Sequence, residues 1–158
     1  FRIDHESTKR GPQPRMLDET PTELVAHLSH PNGWWRSEAQ KLIILHGDKS
    51  VVPQLANEAR SGEKPLGRLH ALWTLEGLGA ADPGLLAEKL EDEDARVRAA
   101  AMRISESVMA KDRSLDGPIA MLTADQNPDV LIQILLSVSR GGHPDAQAIT
   151  ESIVKANP

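Results

Sequence analysis

Apolar residues recur along the chain three or four positions apart, in segments separated by short turns rich in Gly, Pro, Asn and Asp. The clearest segment follows the turn at 31–33, runs through His46 and is ended by Gly47. Looser versions of this segment follow it down the chain. Because no stretch shows the two-residue alternation of a half-buried strand, the pattern predicts an all-α fold.

Turn residues set the predicted helix limits. Thr20 is an expected N-cap, with Pro21 at the first helical position and Glu23 completing a capping box. Asn32, Asp82 and Asn127 are expected to open later helices. The nine predicted helices cover about 21–29, 33–46, 48–61, 66–78, 83–90, 94–109, 118–122, 128–140 and 146–155.

Residues 1–19 differ in composition from the rest. Phe1–Ile3 has the character of a strand end, and Gly11, Pro12 and Pro14 follow among charged residues. This composition predicts either a linker, or the end of a preceding domain, or an arm that lies on the helices. We place the helical domain at 20–158.

The composition of the chain argues against several classes of function. The chain of 158 residues has no cysteine, which excludes disulfides, thiol catalysis and a C-x-x-C-H haem attachment within it. With 18 basic and 23 acidic residues, the net charge of −5 argues against a nucleic-acid surface, and no apolar run reaches the ~20 residues of a membrane span. The start at Phe1 without a signal core predicts a piece of a longer or processed polypeptide.

The even-numbered helices share one frame. Residues 35–42 align with 97–104, and the buried anchors of the four helices are Ala39, Ala71, Ala101 and Ile134, spaced 32, 30 and 33 residues apart. A period near 30 made of two helices is typical of a helical solenoid. Three residues before each alanine stand Arg36, Arg68 and Arg98, which we expect either to reach an acidic residue of the neighbouring turn or to be solvated helix charges.

This frame resembles HEAT repeats, in particular the short bacterial type with V-R-x-x-A-x-x-L in its second helix, where Val97, Arg98 and Ala101 stand at the motif positions. The resemblance covers 20 to about 155. It implies a right-handed α-solenoid of about nine helices in four to five repeats, serving as a protein-binding scaffold and not as an enzyme.

Two stretches, 24–36 and 68–78, resemble more closely the HEAT segment of exported bacterial membrane-bound dehydrogenases. In that family a quinoprotein-type β-propeller precedes the HEAT region and a c-type cytochrome follows it. Phe1–Ile3 is similar to the closing strand of such a propeller. The propeller's catalytic residues and the haem motif are not in this chain, so none is carried over, and the resemblance implies a periplasmic or exported location.

Candidate interaction residues are aromatic or ionic. Trp34 and Trp35 are adjacent and cannot share a helical face, so one is expected to be buried and the other partly exposed. An exposed Trp is a favoured interface anchor, while the alternative is that both pack the N-terminal end of the stack. Trp73 is expected in the core, and His70 in a hydrogen bond between helices.

Metal and catalytic sites find little support in the sequence. His27 and His30 have a spacing that zinc or haem iron can use, but no acidic partner completes the set. The acidic run 91–94 lacks the spacing and glycine of a calcium loop, and capping of the following helix is the simpler interpretation. We therefore predict no cofactor and no catalytic residue in this chain.

Three functions remain as hypotheses. The first is a spacer and docking module within an exported redox protein, whose partners are neighbouring domains. The second is a separate protein-binding adaptor that uses its concave face. The third is a HEAT-fold enzyme acting on DNA or on a bilin, which the negative charge disfavours for DNA.

Overall fold

The computed structural model describes residues 13–157, which form nine α-helices, four short 3-10 turns and no strand. The helices are α1 (Pro21–Ala26), α2 (Gly33–His46), α3 (Val52–Ser61), α4 (Pro65–Gly77), α5 (Pro83–Leu90), α6 (Ala95–Ser105), α7 (Asp116–Leu122), α8 (Pro128–Arg140) and α9 (Ala146–Ala156). The all-helical prediction is confirmed for this part of the chain. The strand end predicted at 1–3 lies outside the described residues.

Side-chain caps begin the helices where the sequence predicts them. Thr20 Oγ1 accepts a hydrogen bond from the Glu23 backbone N–H at 3.3 Å, and Glu23 Oε2 accepts one from the Thr20 N–H at 2.8 Å, forming the capping box. Caps of this kind contribute about 0.5–2 kcal/mol each. Side-chain oxygens of Asn32, Asp82, Asp94 and Asn127 cap α2, α5, α6 and α8.

Helix α3 begins at Val52 after a 3-10 turn and α7 at Asp116, not at 48 and 118 as predicted, and two helices end earlier than predicted. The first predicted helix is α-helical only to Ala26 and then tightens into a 3-10 turn over His27–Ser29. The sixth ends at Ser105 and not near Met109, because the next N–H groups bond carbonyls three residues back, as in Ser107 N to Ile104 O at 3.1 Å. The Ser105 hydroxyl donates to the Ala101 carbonyl at 2.8 Å, and such bonds compete with regular helix geometry.

The helices pack in two rows. The even-numbered helices α2, α4, α6 and α8 contact one another in succession, and the odd-numbered helices α1, α3, α5 and α7 do the same. Helix α9 packs on α8. Each interior turn between two helices therefore lies beside the corresponding turn of the next pair, which places side chains about 30 residues apart in contact.

Small residues allow the even-numbered helices to approach each other. The alanines at 39, 71 and 101 and Ile134 have no exposed surface. Large apolar side chains fill the space around them, each burial contributing about 1.5–3 kcal/mol. The fully buried large side chains are Leu24, Leu28, Ile43, Leu55, Leu72, Leu75, Leu85, Leu86, Leu90, Met102, Ile104 and Met109.

Candidate docking surfaces

The turns before several helices share one side-chain contact. Two residues before the N-cap, a carboxylate or imidazole accepts a hydrogen bond from the N-cap backbone N–H, which fixes the turn. The four acceptor–donor pairs are His30 Nδ1–Asn32 N (3.0 Å), Asp92 Oδ1–Asp94 N (3.0 Å), Asp125 Oδ1–Asn127 N (2.8 Å) and His143 Nδ1–Asp145 N (3.1 Å).

Arg68 connects the turn before its own helix to the turn before α6. Its Nη1 donates to the Gly62 carbonyl at 2.9 Å, in the turn before its own helix. Its Nε and Nη2 bind the two oxygens of Asp92 at 2.9 and 2.8 Å, in the turn before α6. Both side chains are buried, with 6% and 3% of their surface exposed, and Lys89 Nζ also contacts Asp92 at 3.1 Å. The buried charges are thus paired and hydrogen-bonded.

Arg98 repeats this arrangement in the next pair of helices. Its Nη1 donates to the Asp92 carbonyl at 2.8 Å, and its Nε and Nη2 bind Asp125 at 2.6 and 2.9 Å. The expected contact with an acidic residue of the neighbouring turn is therefore present for Arg68 and Arg98. Both side chains fix the spacing of turns and are not available as binding groups.

The ion pairs shift the pKa values of their members. Burial acts to raise the pKa of Asp92, but hydrogen bonds from Arg68, the Asp94 N–H and Lys89 outweigh it, so this pKa lies below its usual value. The hydrogen bond from Arg98 likewise lowers the pKa of Asp125. Both aspartates are therefore ionised at neutral pH.

Arg36 does not follow this pattern, because within the described residues no acidic side chain of the neighbouring turn pairs with it. Its Nη1 donates to the His30 and Pro31 carbonyls at 2.6 and 3.0 Å, as the later arginines do in their own turns. Among residues 13–157 it makes no ion pair, and its buried Nε has no hydrogen-bond partner. The position that corresponds to Asp92 is occupied by Gly62, which has no side chain to offer.

The acidic run 91–94 is used within the fold. Asp92 binds Arg68, and Asp94 caps α6 while it also binds Arg96, whose hydrogen bond lowers the pKa of Asp94 to about 2. These contacts agree with the capping interpretation. In the described part of the chain, no three His, Asp or Glu side chains are grouped closely enough to hold a metal ion.

Trp34 and Trp35 have different surroundings. The Trp35 ring stacks on His30 with centroids 4.9 Å apart and lies 5.0 Å from the His27 ring. His27 Nε2 is in turn 2.8 Å from Glu19 Oε2, in the segment before α1. Trp34 is perpendicular to Trp35 and is 51% exposed. Trp35 thus belongs to the packing of α1 on α2, whereas Trp34 is open to a partner.

The N-terminal groove lies between α2 and the segment 14–18 that precedes α1. Met16 is buried against α2, but Leu17 and Leu45 beside it are 82% and 69% exposed. The groove has a volume of about 540 Å³ and is lined by Pro14, Arg15, Met16, Leu17, Asp18, Trp34, Glu38, Lys41, Leu42 and Leu45. A large apolar surface is therefore open at this end of the helix rows.

His70 has a structural contact between α2 and α4. Its Nδ1 donates to the Gln40 side-chain oxygen at 2.7 Å, and its own carbonyl accepts from the Thr74 hydroxyl at 2.6 Å. Burial, and secondarily the positive charge of Arg36, lowers the pKa of His70 below its usual value. The imidazole is therefore neutral at pH 7.

The central groove crosses the even-numbered helices α4, α6 and α8. Trp73 is half-buried at its edge, and the small side chain of Ala99 forms part of its floor. The groove measures about 300 Å³ and is lined by Leu69, Trp73, Ala95, Arg96, Ala99, Ala100, Arg103, Asn127, Asp129 and Gln133. It can accept a side chain of a partner protein.

The C-terminal groove lies between α8 and α9. It is lined by Pro128, Leu131, Ile132, Leu135, Ile153, Val154 and Asn157 and has a volume of about 180 Å³. Ile132 and Val154 are 53% and 56% exposed. The sequence does not distinguish these residues from core positions, because their helical spacing is the same.

Comparisons of the chain with protein-family models, with curated proteins and with solved structures give no match. The resemblance to HEAT repeats therefore stays a prediction. In residues 13–157, no helix has both the length and the apolar character that crossing a bilayer requires.

Proposed function

We propose that this chain is a non-catalytic HEAT-like solenoid that acts as a spacer and docking module within a larger exported redox protein. In this role its helix rows hold a dehydrogenase domain and a c-type cytochrome domain in a fixed relation. The redox context comes from the sequence resemblance, and the spacer role is supported by the surface.

One observation carries the spacer role. Among residues 13–157, every exposed large hydrophobic side chain except Met121 lies at one of the two ends of the helix rows. The residues are Leu17, Trp34 and Leu45 at the first end and Ile132, Leu136 and Val154 at the other. Solenoids that end in solvent carry polar faces on their terminal repeats, so two apolar ends favour contact with neighbouring domains.

The solenoid itself is supported by the repeated contact of the even-numbered helices. The arginines at 68 and 98 bind corresponding atoms in successive turns, and the buried anchors recur with the same period as the sequence pattern. A scaffold of this kind keeps its ends at a set distance, because the Arg68–Asp92 and Arg98–Asp125 ion pairs join three successive helix pairs, those that end in α4, α6 and α8.

The spacer role is tested by the size of the natural gene product. An antiserum against the 17.2 kDa chain is used to probe an extract of the source cells, with gene-disrupted cells as the control. We expect a band much larger than the chain that also stains for covalent haem. A single band at the mass of the chain, without haem, would refute the spacer role.

The second candidate is a separate adaptor that binds a protein in the central groove. The observation in its favour is Trp73, half-buried at the edge of a groove with an alanine floor. It predicts one stoichiometric partner whose binding is lost in Trp73→Ala and retained in Trp34→Ala. Equal binding by both variants would remove this candidate.

A further inference from the structure

We infer that the turns before α2 and α9 open in mild acid as their imidazoles take up a proton, while the turns before α6 and α8 stay closed. In each of these four turns a side chain accepts the backbone N–H of the N-cap residue two positions later. The device needs only contacts within the chain, so it is independent of the proposed function.

The outer and inner turns differ in the side chain that accepts this N–H. His30 Nδ1 accepts the Asn32 N–H at 3.0 Å before α2, and His143 Nδ1 accepts the Asp145 N–H at 3.1 Å before α9. In the two inner turns the acceptor is an aspartate oxygen. Imidazole is the side chain that gains charge between about pH 8 and pH 5, whereas the pKa values of both aspartates lie below their usual 3.8.

His143 uses both of its ring nitrogens. Its side chain is 2% exposed, and its Nε2 lies 3.3 Å from Asp116 Oδ1 on α7. Since Nδ1 accepts the Asp145 N–H, the neutral ring carries its hydrogen on Nε2, which faces Asp116. Protonation adds a hydrogen to Nδ1, so that two donors then face each other across 3.1 Å. The charged ring is therefore incompatible with the turn contact.

Asp116 gives the charged His143 ring a place to stay when the turn opens. Neither Asp116 Oδ1 nor His143 Nε2 has another hydrogen-bond partner among the described residues. The other carboxylate oxygen of Asp116 binds Arg113 Nε at 2.6 Å, so Oδ1 remains for the imidazole. Proton uptake thus strengthens the contact with α7 while it removes the contact with the start of α9.

His30 has a different neighbour on its ring face. The Trp35 ring stacks on it at 4.9 Å, and a charged imidazole is attracted to such a face. The ionisable groups that face it are the His27 ring, edge-on at 6.5 Å, and the Arg36 guanidinium, which binds the His30 carbonyl at 2.6 Å. The ring can therefore keep its place on Trp35 after the N–H of the turn is released.

The two outer turns should not open to the same extent. Asn32 also caps α2 with its own side chain, which accepts the Trp34 N–H. Asp145 makes no side-chain cap for α9, so the start of this helix depends more on His143. We expect the larger response before α9. Acid then loosens helix starts near the two ends of the rows and leaves the central ion pairs in place.

Amide hydrogen exchange of the 158-residue chain tests this inference, with protection factors compared at about pH 7.5 and about pH 5. The protection of the Asp145 and Asn32 N–H groups should fall several-fold in acid, most at Asp145. The protection of the Asp94 and Asn127 N–H groups, which aspartates hold, should change less than about twofold. The four turns in one chain serve as controls for each other.

Asparagine variants identify the responsible rings, because their side-chain oxygen can accept the same N–H without titrating. His143→Asn should abolish the pH dependence at Asp145 alone, and His30→Asn should abolish it at Asn32 alone. His46→Asn is the matched control. His46 is exposed on α2 and makes no contact with the N–H two residues later among the described residues, so its replacement should leave all four turns unchanged.

Unchanged protection at Asn32 and Asp145 between the two pH values would overturn the inference. An equal fall at Asp94 and Asn127 would show a general loosening of the fold and would also overturn it. The same holds for a pH dependence at Asp145 that His143→Asn retains. Because the comparison of the four turns is made in the unchanged chain, it decides the matter even where a variant does not fold.

Discussion

Arg98 binds both oxygens of Asp125 through its Nε and Nη2, and the same two atoms of Arg68 bind Asp92. In each case the aspartate also accepts the N–H of the next helix's N-cap. One side-chain pair thus sets both the distance between two units and the start of a helix. The third arginine of the series, Arg36, has no such partner among the described residues, which gives a natural comparison.

Replacing Arg68 and Arg36 one at a time should separate the effect of a buried ion pair from that of bonds to backbone carbonyls alone. Arg68→Met leaves Asp92 buried with a reduced set of partners, and removal of one member of a buried ion pair costs about 3–5 kcal/mol. Among the described residues, Arg36→Met loses its bonds to two backbone carbonyls and no ion pair, at about 1–3 kcal/mol. Urea unfolding of both variants measures the difference. A loss for Arg36→Met as large as that for Arg68→Met would contradict this account.

The sequence predicts a helix start or end well where a nearby capping side chain or a glycine determines it. The caps at Thr20, Asn32, Asp82 and Asn127 and the left-handed Gly47, with φ of 66°, are local signals. The end of α6 was misplaced because apolar spacing continues to Met109, which is fully buried in a turn. Burial alone does not distinguish a helical residue from one in a buried turn.

The acidic partners of Arg68 and Arg98 were expected in the neighbouring turn, but the residues themselves were not named, although a sequence signal for them exists. The pattern of Asp or His, any residue, then Asn or Asp occurs at 30–32, 46–48, 92–94, 125–127 and 143–145, each time just before a helix or 3-10 turn, and all of these except 46–48 make the contact with the N-cap N–H. Because the pattern is absent at Gly62, Arg36 has no carboxylate partner among the described residues. The end grooves could not be predicted, because exposure of Ile132 or Leu45 depends on which neighbouring helix is present.

The Arg98–Asp125 pair should weaken in acid. Because the folded-state pKa of Asp125 lies below 3.8, its stabilising effect is complete above about pH 3.8 and is lost as the pH falls through the folded-state value. A double-mutant cycle with Arg98→Met and Asp125→Asn should give a coupling of about 0.5–3 kcal/mol at pH 7. The coupling should decrease below pH 3.8, and a coupling near zero at pH 7 would refute the pair's role.

His70 should give the fold a pH dependence in a higher range. Its folded-state pKa lies below the unfolded value of 6.5, so the stability it confers is present above pH 6.5 and is lost as the pH falls through the lower folded-state value. The free energy of unfolding of His70→Gln should therefore depend less on pH between 7.5 and 5.5. His46→Gln, at an exposed position on α2, is the control and should behave like the parent chain.

Close approach of the even-numbered helices predicts a strict size limit at Ala101. Leucine at this fully buried position must displace a neighbouring helix, at a cost of about 1–3 kcal/mol. Ala120→Leu on the exposed side of α7 should change stability by no more than about 0.5 kcal/mol. Thermal unfolding of the two variants provides the comparison. Equal stability would show that Ala101 is not at a tight crossing.

The central claim is that the chain is a solenoid, built from helix pairs that repeat the same contacts. Removal of two successive helices, α4 and α5, tests this claim most directly. Deleting 62–91 joins Ser61 to Asp92, so that α6 follows α3 and Asp92 takes the place of Gly62 opposite Arg36. We predict a single cooperative urea transition with a smaller m-value, and a larger cost of Arg36→Met than in the full chain. A deletion variant that shows no cooperative transition, or in which Arg36→Met costs no more than before, would contradict the account.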